Sequence, residues 1–320
     1  MASSTRRPVF AAIDVGTNAV RMDLARPEAD GTLETFLRER DAVRPGEGVF
    51  THGVMPRETA DRLVGALRRY AALSRRHGAR VRAVATSAMR EAGNRSDILQ
   101  RVRDEAGLEL EIISGEDEAR LICLGVLNRA PPRTRSVVMD LGGGSTEVVL
   151  ATGQRPEGLW SLPLGAVRLT EQFDTAGEVT PFQLRRMRGA VRERLHAAFP
   201  VAAMDLPPVA LGSSGTIRAV VRFAAQGDSY ATPDQLTHAV EALAAMSPGE
   251  RGEHFEPRRA EVIVAGALLL EESMRHLGLR GISAIKRGLR DGMLVELSSA
   301  DLGTTPPRAL PGFLGTLAVG

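Results

Sequence analysis

The sequence predicts an α/β protein built twice on one plan, and three observations carry the prediction. One short pattern occurs twice. Residues 13–25 read Ile-Asp-Val-Gly-Thr-Asn-Ala-Val-Arg-Met-Asp-Leu-Ala, and residues 139–151 read Met-Asp-Leu-Gly-Gly-Gly-Ser-Thr-Glu-Val-Val-Leu-Ala. Each copy sets an Asp two residues before a Gly and follows an apolar run, which reads as strand, tight polar turn and returning strand. After each hairpin, short apolar runs alternate with stretches of helical period, as in βα units. The length of 320 residues, 43% of them hydrophobic and 25% charged, suffices for two domains with cores of their own.

The elements follow in order. A strand is expected near 33–40 after the first hairpin at 9–25. Pro56 starts a helix whose Leu63, Leu67, Tyr70 and Leu73 share a face, and Gly78 ends it. A buried strand fits 81–85. Ser96 is placed as the cap of a helix running to Gly107. A strand at 109–113 leads to Ser114, with Asp117 three residues on, at the head of a helix carrying Leu121, Leu124 and Leu127. The Pro131-Pro132 pair closes this half, so the domains are drawn as 1–130 and 131–299, with 300–320 as a segment that could rejoin the first. The second half has its hairpin at 136–150 and strands near 159–162, 208–211 and 281–285. Its helices begin at Pro181, Thr216 and Pro233, span 257–277 without a break, and close at 290–299.

Bulk composition removes several function classes. A net charge of +2 gives no strong pull toward nucleic acid or membrane, and Trp160 with nine Phe offers no stacking platform for bases. No apolar run is long enough to cross a bilayer, and residues 1–8 lack the apolar stretch of a signal peptide. Cys123 is the single cysteine, so no disulfide framework exists and a cytoplasmic location is expected. Of 41 Lys plus Arg only Lys286 is lysine, a bias expected from codon usage. The six histidines show no ligand spacing.

The residue types at the strand ends point to phosphate chemistry. Asp14 and Asp140 each stand where a strand gives way to a turn, and hard divalent cations take carboxylate oxygen. Gly142, Gly143, Gly144 and Ser145 let backbone N–H groups close around an anion. The partner turn, Gly16-Thr17-Asn18, supplies a hydroxyl and an amide besides its backbone. Gly212, Ser213, Ser214 and Gly215 precede a helix, whose free N–H groups favour an anion. Glu116, Asp117 and Glu118 open another helix, where acidic residues ordinarily offset the dipole.

Seven ordered segments then resemble the exopolyphosphatase/guanosine-pentaphosphate phosphohydrolase family, of the sugar kinase, heat-shock ATPase and actin superfamily. They are residues 13–18, Ala-Thr-Ser-Ala-Met-Arg at 85–90, Ile-Ser-Gly-Glu-Asp-Glu-Ala-Arg-Leu-Ile at 113–122, residues 139–147, Ser-Leu-Pro-Leu-Gly-Ala-Val-Arg-Leu-Thr-Glu at 161–171, Gly-Ser-Ser-Gly-Thr-Ile-Arg at 212–218 and Gly-Leu-Arg-Asp-Gly at 288–292. The resemblance implies two ribonuclease-H-like (actin-like ATPase) domains in duplicate with the active site in a cleft between them. It implies Mg²⁺, with Mn²⁺ as an alternative, held by Asp14 and Asp140. It also implies Glu118 as catalytic base, Arg90 as phosphate ligand and a homodimer. The expected activity is hydrolysis of the terminal phosphoanhydride of inorganic polyphosphate or of pppGpp.

Two departures stand out. The first turn has Ala19 where the family has a serine, a loss of about 1–3 kcal/mol if that donor is used. The chain also lacks the C-terminal helical part of longer members, which bears on processive handling of long polymers. Two rivals follow: a weakly catalytic sensor of polyphosphate or alarmone, favoured by Ala19, and an ATP-dependent phosphotransferase.

Overall fold

The computed structural model describes residues 7–199 and 206–301. The chain divides into two compact units. Its first stretch forms β1 (Phe10–Val15), β2 (Val20–Pro27), β3 (Leu33–Asp41), α1 (Val49–His52), α2 (Arg57–Arg76), β4 (Arg80–Ala85), α3 (Ser87–Glu91), α4 (Arg95–Arg101) and β5 (Leu110–Ile112). The strands make one sheet of order β3-β2-β1-β4-β5. β1 is buried along its length and lies between antiparallel β2 and parallel β4. β3 exposes alternate residues, several of them charged, as an edge strand that resists pairing with another chain does.

The second unit continues with α5 (Gly115–Val126), β6 (Arg135–Leu141), β7 (Thr146–Thr152), β8 (Arg155–Leu162), α6 (Ala166–Phe173), α7 (Pro181–Ala198), β9 (Val209–Gly212), α8 (Gly215–Ala224), β10 (Tyr230–Ala231), α9 (Pro233–Ala245), α10 (Pro248–His254), α11 (Pro257–Ala260), α12 (Ile263–His276) and β11 (Gly281–Ala284). The sheet order is β10-β11-β9-β6-β7-β8. Here β6 holds the place of β1, with β7 antiparallel on one side and β9 parallel on the other. The two sheets therefore repeat one topology, the duplicated ribonuclease-H-like plan of an actin-like fold. A last helix, α13 (Leu289–Asp301), packs on β1, β2 and β4 and so belongs to the first unit.

The units divide at Ser114/Gly115 and at Gly288/Leu289, not at 130 and 299. α5 decides the first shift, because Leu121, Ile122 and Cys123 are buried where it packs on β7 and β8. α13 decides the second. Proline punctuation marked a loop here, not a domain boundary. The segment 302–320, expected as able to rejoin the first domain, lies outside the described residues.

Other element boundaries move for local reasons. Asn94, not Ser96, precedes α4, and its side chain is bonded to Met55 N and O instead of capping. α4 ends in a π-turn over Val102–Ala106, closed by Gly107 at φ 64°. The expected helix over 257–277 is two, α11 and α12. α7 and α9 start as expected, each with a capping box, Thr180 with Gln183 and Thr232 with Gln235. α6 escaped the sequence reading: its eight residues follow a strand closely, with no cap residue to announce them.

α12 is the buried spine of the second unit, in contact with α6, α7, α8 and α9. Truncating its fully buried Leu268 in a Leu268→Ala variant is expected to cost about 2–5 kcal/mol, read as a lower urea midpoint at unchanged slope.

Candidate active site

The site residues cluster at the carboxyl ends of the parallel strands, the edge where open α/β sheets gather ligands. In the first unit β1 runs into the Gly16–Ala19 turn, closed by Gly16 N donating to Ala19 O at 3.1 Å. In the second, β6 runs into Gly142–Ser145, closed by Gly142 N donating to Ser145 O at 2.9 Å. Strand register makes the hairpins equivalent residue by residue: Val15 pairs with Val20 and Leu141 with Thr146.

That register exposes a difference invisible to the motif search. Asp14 stands across from Arg21, whereas Asp140 stands across from Glu147. Asp14 is buried, and its Oδ2 lies 3.4 Å from Nη1 of Arg290 and 3.9 Å from Nη1 of Arg21. Burial pushes its carboxyl up, against the pull of Arg290 and Arg21. Arg290 also pairs with Asp23 at 3.1 Å. Expected from the sequence as a metal ligand, Asp14 is thus flanked by two guanidinium groups of its own unit.

In the second unit the residue across from the aspartate is another carboxylate. Glu147 is 1% exposed and Glu118, in the first turn of α5, is 7% exposed. Burial, then the neighbouring charges of Glu118 and Asp140, push the Glu147 carboxyl well above its usual range, while hydroxyls of Ser161 (2.8 Å) and Ser145 hold it down. No three His, Cys, Asp or Glu side chains among the described residues close into a metal cage. The donor set suits Mg²⁺ or Mn²⁺ nonetheless. Mg²⁺ keeps several waters and takes one or two carboxylates plus substrate phosphate, and like charges opposed across a hairpin are relieved by a cation.

The glycine turn owes its shape to α6. Ala166 N donates to Gly142 O at 3.0 Å, and Val167 N and Arg168 N donate to Gly143 O at 2.8 and 3.1 Å. Nε of Arg168 donates to Gly144 O at 2.9 Å. In a planar trans peptide, N–H points opposite to C=O. The N–H groups of Gly143, Gly144 and Ser145 therefore face away from α6 in a row, and none donates to another group among the described residues. Three such groups make an anion-binding nest. The approach is possible because Gly165 has no side chain: a Cβ there would sit 2.3 Å from Gly143 O.

The remaining expected residues fall as follows. Gly212 ends β9. Ser213 N donates to Met139 O at 2.8 Å and its hydroxyl to Arg287 O at 3.0 Å. Ser214, at φ 76°, caps α8 by accepting from Ile217 N at 3.1 Å. The loop thus offers an anion its backbone and helix end more than its hydroxyls. Arg259, which nothing in an arginine-rich sequence singled out, lies against that helix end, its Nη2 2.8 Å from where a Gly215 Cβ would be. Thr17 is buried, its carbonyl accepting from Gly46 N at 2.8 Å, and Asn18 follows at the turn. Arg90 on α3 donates from Nη1 to Ile113 O at 3.0 Å. Its helix leaves the carboxyl end of β4, where Thr86 N bonds Val15 O at 3.2 Å. The sequence reading quoted Glu147 and Arg290 inside motifs but gave neither a role. A carboxylate in an otherwise apolar strand, Val148–Ala151, was the available signal for Glu147.

The comparisons agree with this architecture. Residues 25–300 match the model of the Ppx/GppA phosphatase family. The chain belongs to that family. It is 32% identical over 299 residues to exopolyphosphatase 1 of Mycobacterium tuberculosis (strain H37Rv), covering 89% of this chain and 86% of the relative. It is also 32% identical over 313 residues to exopolyphosphatase 2 of M. tuberculosis (strain CDC 1551 / Oshkosh), covering 90% and 98%. The crystal structure of the Aquifex aeolicus Ppx/GppA family member superposes with a TM-score of 0.77 at 28% identity, over 92% of this chain and 99% of that one. An exopolyphosphatase from Cytophaga hutchinsonii shares the fold at a TM-score of 0.83.

Two outcomes test the electrostatics. A carboxyl whose folded value is raised holds its proton there to higher pH than in the unfolded chain, so stability falls as pH climbs from the unfolded value of 4.5 toward the raised one. Without divalent cations, Glu147→Gln is therefore expected to melt above wild type at neutral pH, by roughly 2–4 °C per kcal/mol relieved, and level with it near about pH 4. Arg290→Met, which leaves Asp14 to Arg21 and Asp23 to Arg38, is expected to lose about 1–3 kcal/mol in chemical denaturation.

Proposed function

We propose that the chain is an exopolyphosphatase, a hydrolase that removes the terminal phosphate of inorganic polyphosphate. The observation that carries this is the pairing, within one unit, of three mutually repelling carboxylates, Glu118, Asp140 and Glu147, with a row of outward N–H donors at 143–145. Carboxylates alone would repel a polyanion. With a cation and a nest beside them they suit in-line attack of water on phosphorus.

Glu118 orients the attacking water and takes its proton. It is buried at the head of α5, close enough to Glu147 for the two carboxylates to interact. Asp140 and Glu147 would hold a divalent cation, Mg²⁺ or Mn²⁺, which when bound would neutralise phosphoryl charge. The N–H groups of Gly143, Gly144 and Ser145 hold the phosphoryl oxygens, where charge develops. The α8 end with Gly215 and Arg259 holds a further phosphate. Arg90 and the Gly16–Asn18 turn bind phosphate in the first unit, and Asp14 fixes Arg21 and Arg290.

Phosphate release from long-chain polyphosphate, short-chain polyphosphate and pppGpp, measured side by side with Mg²⁺, tests this reading. Polyphosphate is expected to be cleaved and chelation of the cation to stop cleavage. Glu118→Gln is expected to fall by at least about a hundredfold at unchanged melting temperature. Near wild-type turnover by Glu118→Gln sinks the assignment. A preference for pppGpp would rename the substrate, and binding without release would leave a sensor.

A further inference from the structure

Arg168 lies outside every residue assigned above to substrate, cation or water, yet it holds the phosphate nest in shape. We propose that Arg168 is a positioning residue: its guanidinium fixes the Gly144–Ser145 peptide so that the Ser145 N–H is presented to a phosphate oxygen. This inference rests on reading residues 143–145 as a phosphate site.

Three successive peptide units make up the turn. The first two, 142–143 and 143–144, have their carbonyls pinned by backbone N–H groups of α6, at Ala166, Val167 and Arg168. Those donors belong to the first turn of a helix, where N–H groups lack partners within the helix, so they are free for this use. The third peptide, 144–145, lies beyond their reach. Its carbonyl is pinned by a side chain, Nε of Arg168 at 2.9 Å. Among the described residues no backbone N–H donates to the Gly144 carbonyl, and two adjoining glycines give the peptide little resistance to rotation. A flip would turn the Ser145 N–H away and a carbonyl oxygen toward the phosphate, replacing attraction by repulsion.

The neighbouring contacts give the bond leverage. Ser145 donates its hydroxyl toward Glu147, and Thr146, the next residue, donates its own to Leu164 O at 2.7 Å. The turn is thus fixed at 142 and at 146, and Arg168 fixes the one peptide between them that glycine leaves loose. Arginine suits the task better than a neutral donor, since a charge-assisted bond is stronger and shorter than a neutral one.

The test uses the full chain with Arg168→Met, Arg168→Lys and Arg168→Gln, and two readouts. The first is calorimetric binding of tripolyphosphate to each protein with Mg²⁺, using Glu118→Gln as background so that nothing turns over. The second is kcat and KM for phosphate release in the active background. Arg168→Met is expected to lose about ten- to a hundredfold in kcat/KM, to bind tripolyphosphate more weakly and to melt as wild type does. Lys, which keeps a donor, is expected to recover most of the loss and Gln part of it. The loss should persist at high salt, where a purely long-range attraction between Arg168 and the polyanion is screened.

Wild-type binding and turnover in Arg168→Met overturn the proposal. So does a loss that vanishes at high salt, a loss that tracks a lower melting temperature, or a Lys variant no better than Met. If the parent protein binds tripolyphosphate but cleaves nothing, the exopolyphosphatase reading fails while the binding arm still decides the role of Arg168. If the parent does not bind it, both fail.

Discussion

Two carboxylates, the half-buried Asp140 and the buried Glu147, are opposed across the β6–β7 hairpin, and the elements beside it are arranged around that fact. Asp140 and Glu147 are register partners, Glu118 adds a third charge from α5, and Glu147 is 1% exposed. Such an arrangement is costly without a proton or a cation to relieve it. The equivalent position of the first unit carries Arg21, which relieves Asp14 internally. One hairpin thus opposes its aspartate with a guanidinium and the other with a second carboxylate.

The second constraint is geometric. A Gly-rich turn binds an anion only if its N–H groups point the same way, and a flexible turn does not choose that by itself. Here the choice is made by α6, whose first-turn donors and Arg168 side chain take the carbonyls. Helix ends commonly bind anions directly. In this unit α6 instead spends its first-turn donors on the carbonyls of the glycine turn, and Gly165 permits the close approach.

The two units treat the same ancestral plan differently. Both place a turn after the central strand and a helix after the next parallel strand. In the first unit the turn is tied to Gly46 and the strand carboxylate to arginines, Arg290 arriving from the far end of the chain on α13. In the second, the Gly212–Gly215 loop runs into α8 with Arg259 against its end. The second hairpin differs from the first by its longer glycine run and by the carboxylate across from its aspartate.

The sequence by itself determined the duplication, the α/β class, the strand–turn–strand hairpins and the glycine and Gly-Ser loops, because these are local: periodicity, turn chemistry and helix caps act over a few residues. Asp140 stood out for the same reason, at the end of a strand, whereas Glu118 read locally as one of three dipole-offsetting acids and was singled out only by the family resemblance. What only the tertiary structure decided is who meets whom. Register set Glu147 against Asp140 and Arg21 against Asp14, and no count along the chain distinguishes these without knowing the turn. Long-range packing drew α5 into the second unit and α13 into the first, since a buried helical face belongs to whichever sheet it covers. The roles of Arg168, Arg259 and Arg290 were hidden among similar arginines until folding gave each a partner.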